Sequence, residues 1–230
     1  MVGLSQLAMS GSYLLSVLIF TPLVGALLLF FVRPESQTLA RLVSLVFAGA
    51  AFVFSLIVLR DFEVGRQGMQ LGEISQWIPS IGARYAVAVD GISIWLIVLT
   101  TLLTFLVVLA SSSVSERVRA YLGCVLLLET GMLGAFLAID GLTFYLFYEL
   151  MLIPMYFLIG VWGGKRRIYA ALKFFLYTAL GSLLMLVSIV YLAWQHQAQF
   201  GEMSFFLGDW MALRFDFFEE VMLFAAFAFA

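Results

Sequence analysis

A glutamate at position 149 stands alone as the charge in an apolar run, 142–162, of about twenty-one residues, enough to cross a bilayer as one helix. An ionised carboxylate in hydrocarbon costs several kcal/mol or more, so such a group is paired, hydrated or protonated. The chemistry that this placement invites is proton transfer. A second carboxylate, Glu129, lies in the preceding apolar run, and a lysine, Lys173, near the start of the following one. Pro154, the turn Gly163-Gly164 and the basic cluster Lys165-Arg166-Arg167 complete the neighbourhood.

Counting places these groups relative to one another. The runs carrying Glu129 and Glu149 are joined by Asp140 and Gly141, so they form an antiparallel hairpin, and the two carboxylates differ in depth by roughly 4–5 Å at 1.5 Å rise per residue. Acids at similar depth on adjacent helices can share a proton or hand it on, provided that helix rotation turns them together, which the count leaves open. Lys173 is offset from Glu149 by about 9 Å on the next antiparallel helix, the span of a water bridge. Each group also has a plainer reading. The glutamates could be neutral packing residues, and Lys173 could snorkel to the interface. Pro154 either opens the backbone to water or simply kinks its helix. Asp140 reads as a turn or helix cap, the 165–167 cluster as a topology signal, and His196 as an interfacial residue. Cys124 reads as a packing or lipid-facing group.

The elements that must hold these residues are membrane helices. Hydrophobic residues make up 64% of the 230-residue chain and charged residues 11%, against about 25% charged in soluble domains. Apolar runs at 13–32, 39–59, 91–110, 120–139, 142–162 and 170–194 imply an all-α, polytopic transmembrane helix bundle of about six full spans. A seventh run starts near Val221 and reaches Ala230, which reads as a chain that stops partway through a larger protein. The longer polar segments 60–90 and 195–220 read as loops. Residues 1–110 form one unit of three helices, and 111–230 the first part of a second, incomplete unit. Arg33, Arg41, Arg117, Arg119 and the 165–167 cluster fall in alternate loops, which puts those loops in the cytoplasm and the N-terminus outside. The N-terminus lacks a basic region before its apolar run and reads as a retained helix.

Composition also excludes chemistry. One cysteine and one histidine provide neither a disulfide nor a ligand set for zinc, haem or an iron–sulfur cluster. The net charge of −2 and the dispersed basic residues speak against nucleic-acid binding. Any electron transfer falls to partner subunits.

The segment from Phe144 through Glu149 and Pro154 to Gly160, then Trp162-Gly-Gly, Lys173-Phe-Phe and Gly181-Ser182, resembles the subunit M (chain 4) family of respiratory complex I, the proton-translocating NADH:quinone oxidoreductase. Mrp-type cation/proton antiporters and membrane-bound hydrogenases belong to the wider group. The resemblance implies an antiporter-like membrane-arm subunit that translocates protons while partners move electrons from NADH to quinone. It implies no catalytic redox centre in this chain, flavin and iron–sulfur clusters in partner subunits, and contact with other antiporter-like subunits and the redox arm. It places the family's functional glutamate at Glu149, with Glu129 and Lys173 as auxiliary candidates. The family's functional lysine, on the broken seventh helix, falls beyond Ala230. A Mrp-type antiporter or hydrogenase subunit is the alternative, and the implied location is integral and multi-pass, in the cell inner (plasma) membrane if the source is bacterial.

Overall fold

Residues 13–230 are described by a computed structural model; residues 1–12, and with them the expected outside placement of the N-terminus, lie outside the described part. The apolar runs become helices α1 (Leu14–Leu29), α2 (Gln37–Asp61), α3 (Ser93–Ala110), α4 (Val118–Leu137), α5 (Gly141–Trp162) and α6 (Arg167–Phe200). Five of these, α2 to α6, are long and apolar enough to cross a membrane. The first is shorter, at 16 residues, or about 24 Å against roughly 30 Å of hydrocarbon. A four-residue turn, α7 (Leu207–Trp210), precedes α8 (Phe217–Phe229), whose 13 residues form the expected start of a seventh helix.

One expected loop is folded. Within 60–90 the chain forms an antiparallel hairpin of β1 (Gln70–Ile78) and β2 (Ala83–Val89). Gly82, at φ +71°, closes the turn in a conformation that disfavours side chains; an added Cβ would also collide with the Met203 carbonyl. The hairpin covers one end of the bundle. Val87 and Val89 pack with Leu15 and Leu18 of α1, Ala51 and Val58 of α2, Ile97 of α3, and Leu133 and Leu137 of α4. From β1 the buried Glu73 accepts hydrogen bonds from the Leu15 and Ser16 amides at 2.6 and 3.0 Å. Its carboxylate satisfies two of the four orphan N–H groups that any helix start exposes.

Helix α4 is the hub, packed against α1, α2, α3 and α5, while α6 packs on the far side of α5 and α8 on α6. A second apolar cluster, nearer the other end, joins Ala26 and Leu29 of α1, Ala40 and Ala48 of α2, Val108 of α3, and Leu122 and Leu126 of α4. Between the two clusters the side chains change character. On α3 the buried residues between Ile97 and Val108 are Thr100, Thr101 and Thr104, and on α4 Glu129 and Thr130 separate Leu126 from Leu133. The Ser55 and Thr101 hydroxyls meet at 2.8 Å, so α2 and α3 are tied by a polar contact inside an otherwise apolar stack.

Candidate proton-transfer site on the fifth helix

The turn between α4 and α5 is fixed from both sides. Ile139 donates its amide to the Ala86 carbonyl, Leu207 to the Ile139 carbonyl and Gly141 to the Phe205 carbonyl, so residues 138–141 run as an extended strip between the hairpin and the 204–207 segment. Asp140 is a helix cap, accepting from the Leu142 and Thr143 amides at 3.1 and 3.0 Å. It is 1% exposed, and burial holds its carboxyl above the ordinary range against the pull of those bonds. From that cap α5 runs unbroken through Pro154. Pro154 cannot donate to the Leu150 carbonyl, which is left free one residue from Glu149.

The rotation that the sequence left open follows from the α4–α5 contact. Gly131 and Gly134 admit Phe147 and Met151 so closely that a Cβ at either glycine would collide with them. At about 100° per residue, Glu149 points roughly 160° away from both Phe147 and Met151, and Glu129 about 140–160° away from Gly131 and Gly134. The two carboxylates therefore face in opposite directions. Glu129 is turned from α5 into the space enclosed by α1, α2 and α3; it is 0% exposed, and both oxygens lack a hydrogen-bond partner among the described residues.

Glu149 is turned towards α6. Tyr145, one turn earlier on the same face, lies within interaction range of both Glu149 and Ser182 of α6, and Tyr145 and Tyr148 pack on Met185 and Ile189 of α6. Glu149 is half-buried, with Oε1 fully covered and unpartnered among the described residues. The end of α8 arrives here as well: the Tyr148 hydroxyl donates to the Ala230 carbonyl at 3.5 Å, and Ala230 crowds Gly181. The site is thus a half-enclosed acid with a phenol, a serine hydroxyl and a freed carbonyl nearby. Those are the elements from which a short hydrogen-bonded proton path can be assembled.

Lys173 is not brought to this site. Ala171 meets Gly160 of α5, and two residues on, Lys173 is rotated by about 160° to the opposite, exposed face. Its ammonium lies 5.9 Å from the Tyr177 ring centroid. His196 donates from Nδ1 to the Glu202 carbonyl, 2.6 Å away, and its ring stacks on Phe200. Sequence reading gave Tyr145 no role and named Ser182 only within the Gly181-Ser182 motif, although the spacing of four residues between Tyr145 and Glu149 was the available signal. Among the described residues no group of His, Cys, Asp and Glu is placed to hold a metal ion.

These features define an integral, multi-pass membrane protein built as a helical bundle with acids in its interior. Residues 138–230 match a family model described as NADH:quinone oxidoreductase/Mrp antiporter, transmembrane. The chain is 46% identical over 181 residues to NADH-quinone oxidoreductase subunit M of Rhodobacter capsulatus, covering 77% of this chain and 35% of that protein. It is 38% identical over 177 residues to NADH-ubiquinone oxidoreductase chain 4 of Chondrus crispus, covering 76% and 36%. In structure it is similar to a chain of respiratory complex I from Thermus thermophilus with bound NADH, at TM-score 0.79 and 28% identity, covering 94% of this chain and 43% of that one. A chain of the Mrp complex from Dietzia sp. DQ12-45-1b shares the fold at TM-score 0.73 and 19% identity, covering 94% and 23%. The likeness to this family model is thus confined to residues 138–230, while the similarity to the subunit M and chain 4 relatives extends over about three quarters of the chain. The chain spans about a third of the length of the curated relatives that it matches.

Proposed function

We propose that this chain forms part of a membrane-arm, antiporter-like subunit that translocates protons, coupled to electron transfer from NADH to quinone in partner subunits. The observation that carries the reading is the half-buried Glu149 on the proline-bearing α5, whose covered Oε1 has no partner among the described residues and which faces α6 near the end of α8. In this reading Glu149 gains and loses the proton, Tyr145 and Ser182 extend its path towards α6, and the chain itself carries no redox group. Flavin and iron–sulfur clusters reside in the redox arm, and other antiporter-like subunits are the lateral partners.

Glu129 and Lys173 take secondary parts. Glu129 faces α1–α3, so a proton passing between it and Glu149 must go round α4 through water rather than cross directly. Lys173 acts from the outward face of α6, as a charge presented to a neighbouring subunit. Greater identity to the complex I relatives than to the Mrp chain supports the redox-coupled reading over cation/proton exchange. Glu149→Gln keeps the shape and removes the titration. In an assembled, reconstituted complex it is expected to abolish or strongly reduce NADH-driven proton pumping, and normal pumping by that variant would remove Glu149 from the mechanism.

A further inference from the structure

Helices α1, α4 and α5 leave a groove of about 490 Å³ between them, whose lining includes Pro154 but not Glu149, Tyr145 or Ser182. Its walls are apolar, with Leu23, Leu127, Ile153 and Phe157 at depth, and its mouth carries Arg117, Arg119 and Trp162. From Arg117 to Leu127 the groove follows α4 for ten residues, or about 15 Å, which is half of a hydrocarbon core roughly 30 Å thick. Its length is therefore that of one leaflet.

The mouth is cationic and unneutralised. Neither Arg117 nor Arg119 forms an ion pair among the described residues, where the recorded pairs are Arg60–Asp61 and Arg66–Glu63. Arg119 spends one donor on the Val32 carbonyl at 2.8 Å, keeping the rest of its guanidinium. Arg117 is exposed and sits at the N-cap of α4 in the left-handed region, φ +48°, and α4 has no side-chain cap. The positive pole of the helix thus adds to two guanidinium groups at headgroup depth. Glu116 is the adjacent acid, and its backbone carbonyl holds the Trp162 indole at 2.8 Å, fixing an aromatic anchor at the same rim.

We propose that this groove is a binding site for an anionic phospholipid, with an acyl chain along α1, α4 and α5 and its phosphate on Arg117 and Arg119. Charge complementarity at the mouth selects the headgroup, since basic pockets between membrane helices attract anionic lipids, whereas an apolar groove alone would accept any lipid.

Cys124, the only cysteine, lines the groove and reports its occupancy. The purified full chain, delipidated in mild detergent, is alkylated with a maleimide at fixed pH in the presence of phosphatidylglycerol or phosphatidylcholine. Phosphatidylglycerol is expected to slow alkylation several-fold more than phosphatidylcholine. Arg117→Gln with Arg119→Gln is expected to erase that difference, and Arg117→Lys with Arg119→Lys to keep much of it. Equal protection by both lipids, no protection by either, or a headgroup preference that survives the double Gln variant would overturn the proposal. So would a Cys124 that stays unreactive in the delipidated native assembly while reacting in the free chain, because a partner protein would then be the occupant.

Discussion

Two acids on one helical hairpin occupy opposite kinds of site. Glu129 is sealed among α1–α4, level with a belt of buried hydroxyl groups. Glu149, on the other side of the α4–α5 contact, is half-buried and edged by Tyr145, Ser182 and the end of α8. Composition and depth make them look equivalent, yet the glycines at 131 and 134 set a rotation that separates them. A proton carrier needs access as well as burial. Glu149 has both, and Glu129 has burial alone.

The sharpest way to break this contrast is to exchange the acids' fates. In an assembled complex Glu149→Gln is expected to lower proton pumping by more than tenfold, the scale on which losing a positioned proton-transfer group acts. Glu129→Gln should retain most of the pumping, as measured by dye quenching in proteoliposomes. Equal losses would mean that the two acids form one path after all. The next effect is structural. Gly134→Leu drives a side chain into Phe147 and should cost about 1–3 kcal/mol or more, seen as a fall in thermal midpoint in detergent. It should also disturb Glu149 function, because it rotates α5.

Smaller effects test the bundle around Glu129. Glu73→Ala removes the carboxylate that caps α1 and should cost about 0.5–2 kcal/mol, read from the thermal midpoint or from proteolysis near Ser16. Thr101→Val removes the hydroxyl contact with Ser55 and should cost about 1 kcal/mol. Glu129→Leu, at a site where neither oxygen has a partner among the described residues, should be neutral or stabilising. A strongly destabilised Glu129→Leu protein would show that Glu129 is held by partners such as ordered water, and would return it to the list of working residues.

Much of this architecture was legible because a lipid solvent leaves a chain few options. Runs of apolar residues at spanning length gave α2 to α6, and Asp140-Gly141 gave the tight α4–α5 turn together with its cap. The hairpin was not legible, since Gly65, Gly68, Gly72 and Pro79 looked like loop punctuation. The continuous apolar run Ala86–Val89 was the contrary signal, and its force comes from burial of Val87 and Val89 against α1 and α4, a tertiary fact. For the site, Glu149 was legible because one charge in an apolar run has few explanations. Its orientation was not: helix rotation depends on which small residues let a neighbour approach, and Gly131 and Gly134 carry that information only once Phe147 and Met151 are seen opposite them. The placement of Lys173 was not legible for the same reason, since a residue close in axial distance can still face outward.

Infrared difference spectroscopy of the assembled complex, recorded between resting and NADH-driven states, would show whether Glu149 changes protonation. A carboxylic acid C=O change is expected that disappears in Glu149→Gln and persists in Glu129→Gln. A change unaffected by Glu149→Gln, or lost only with Glu129→Gln, would contradict that expectation.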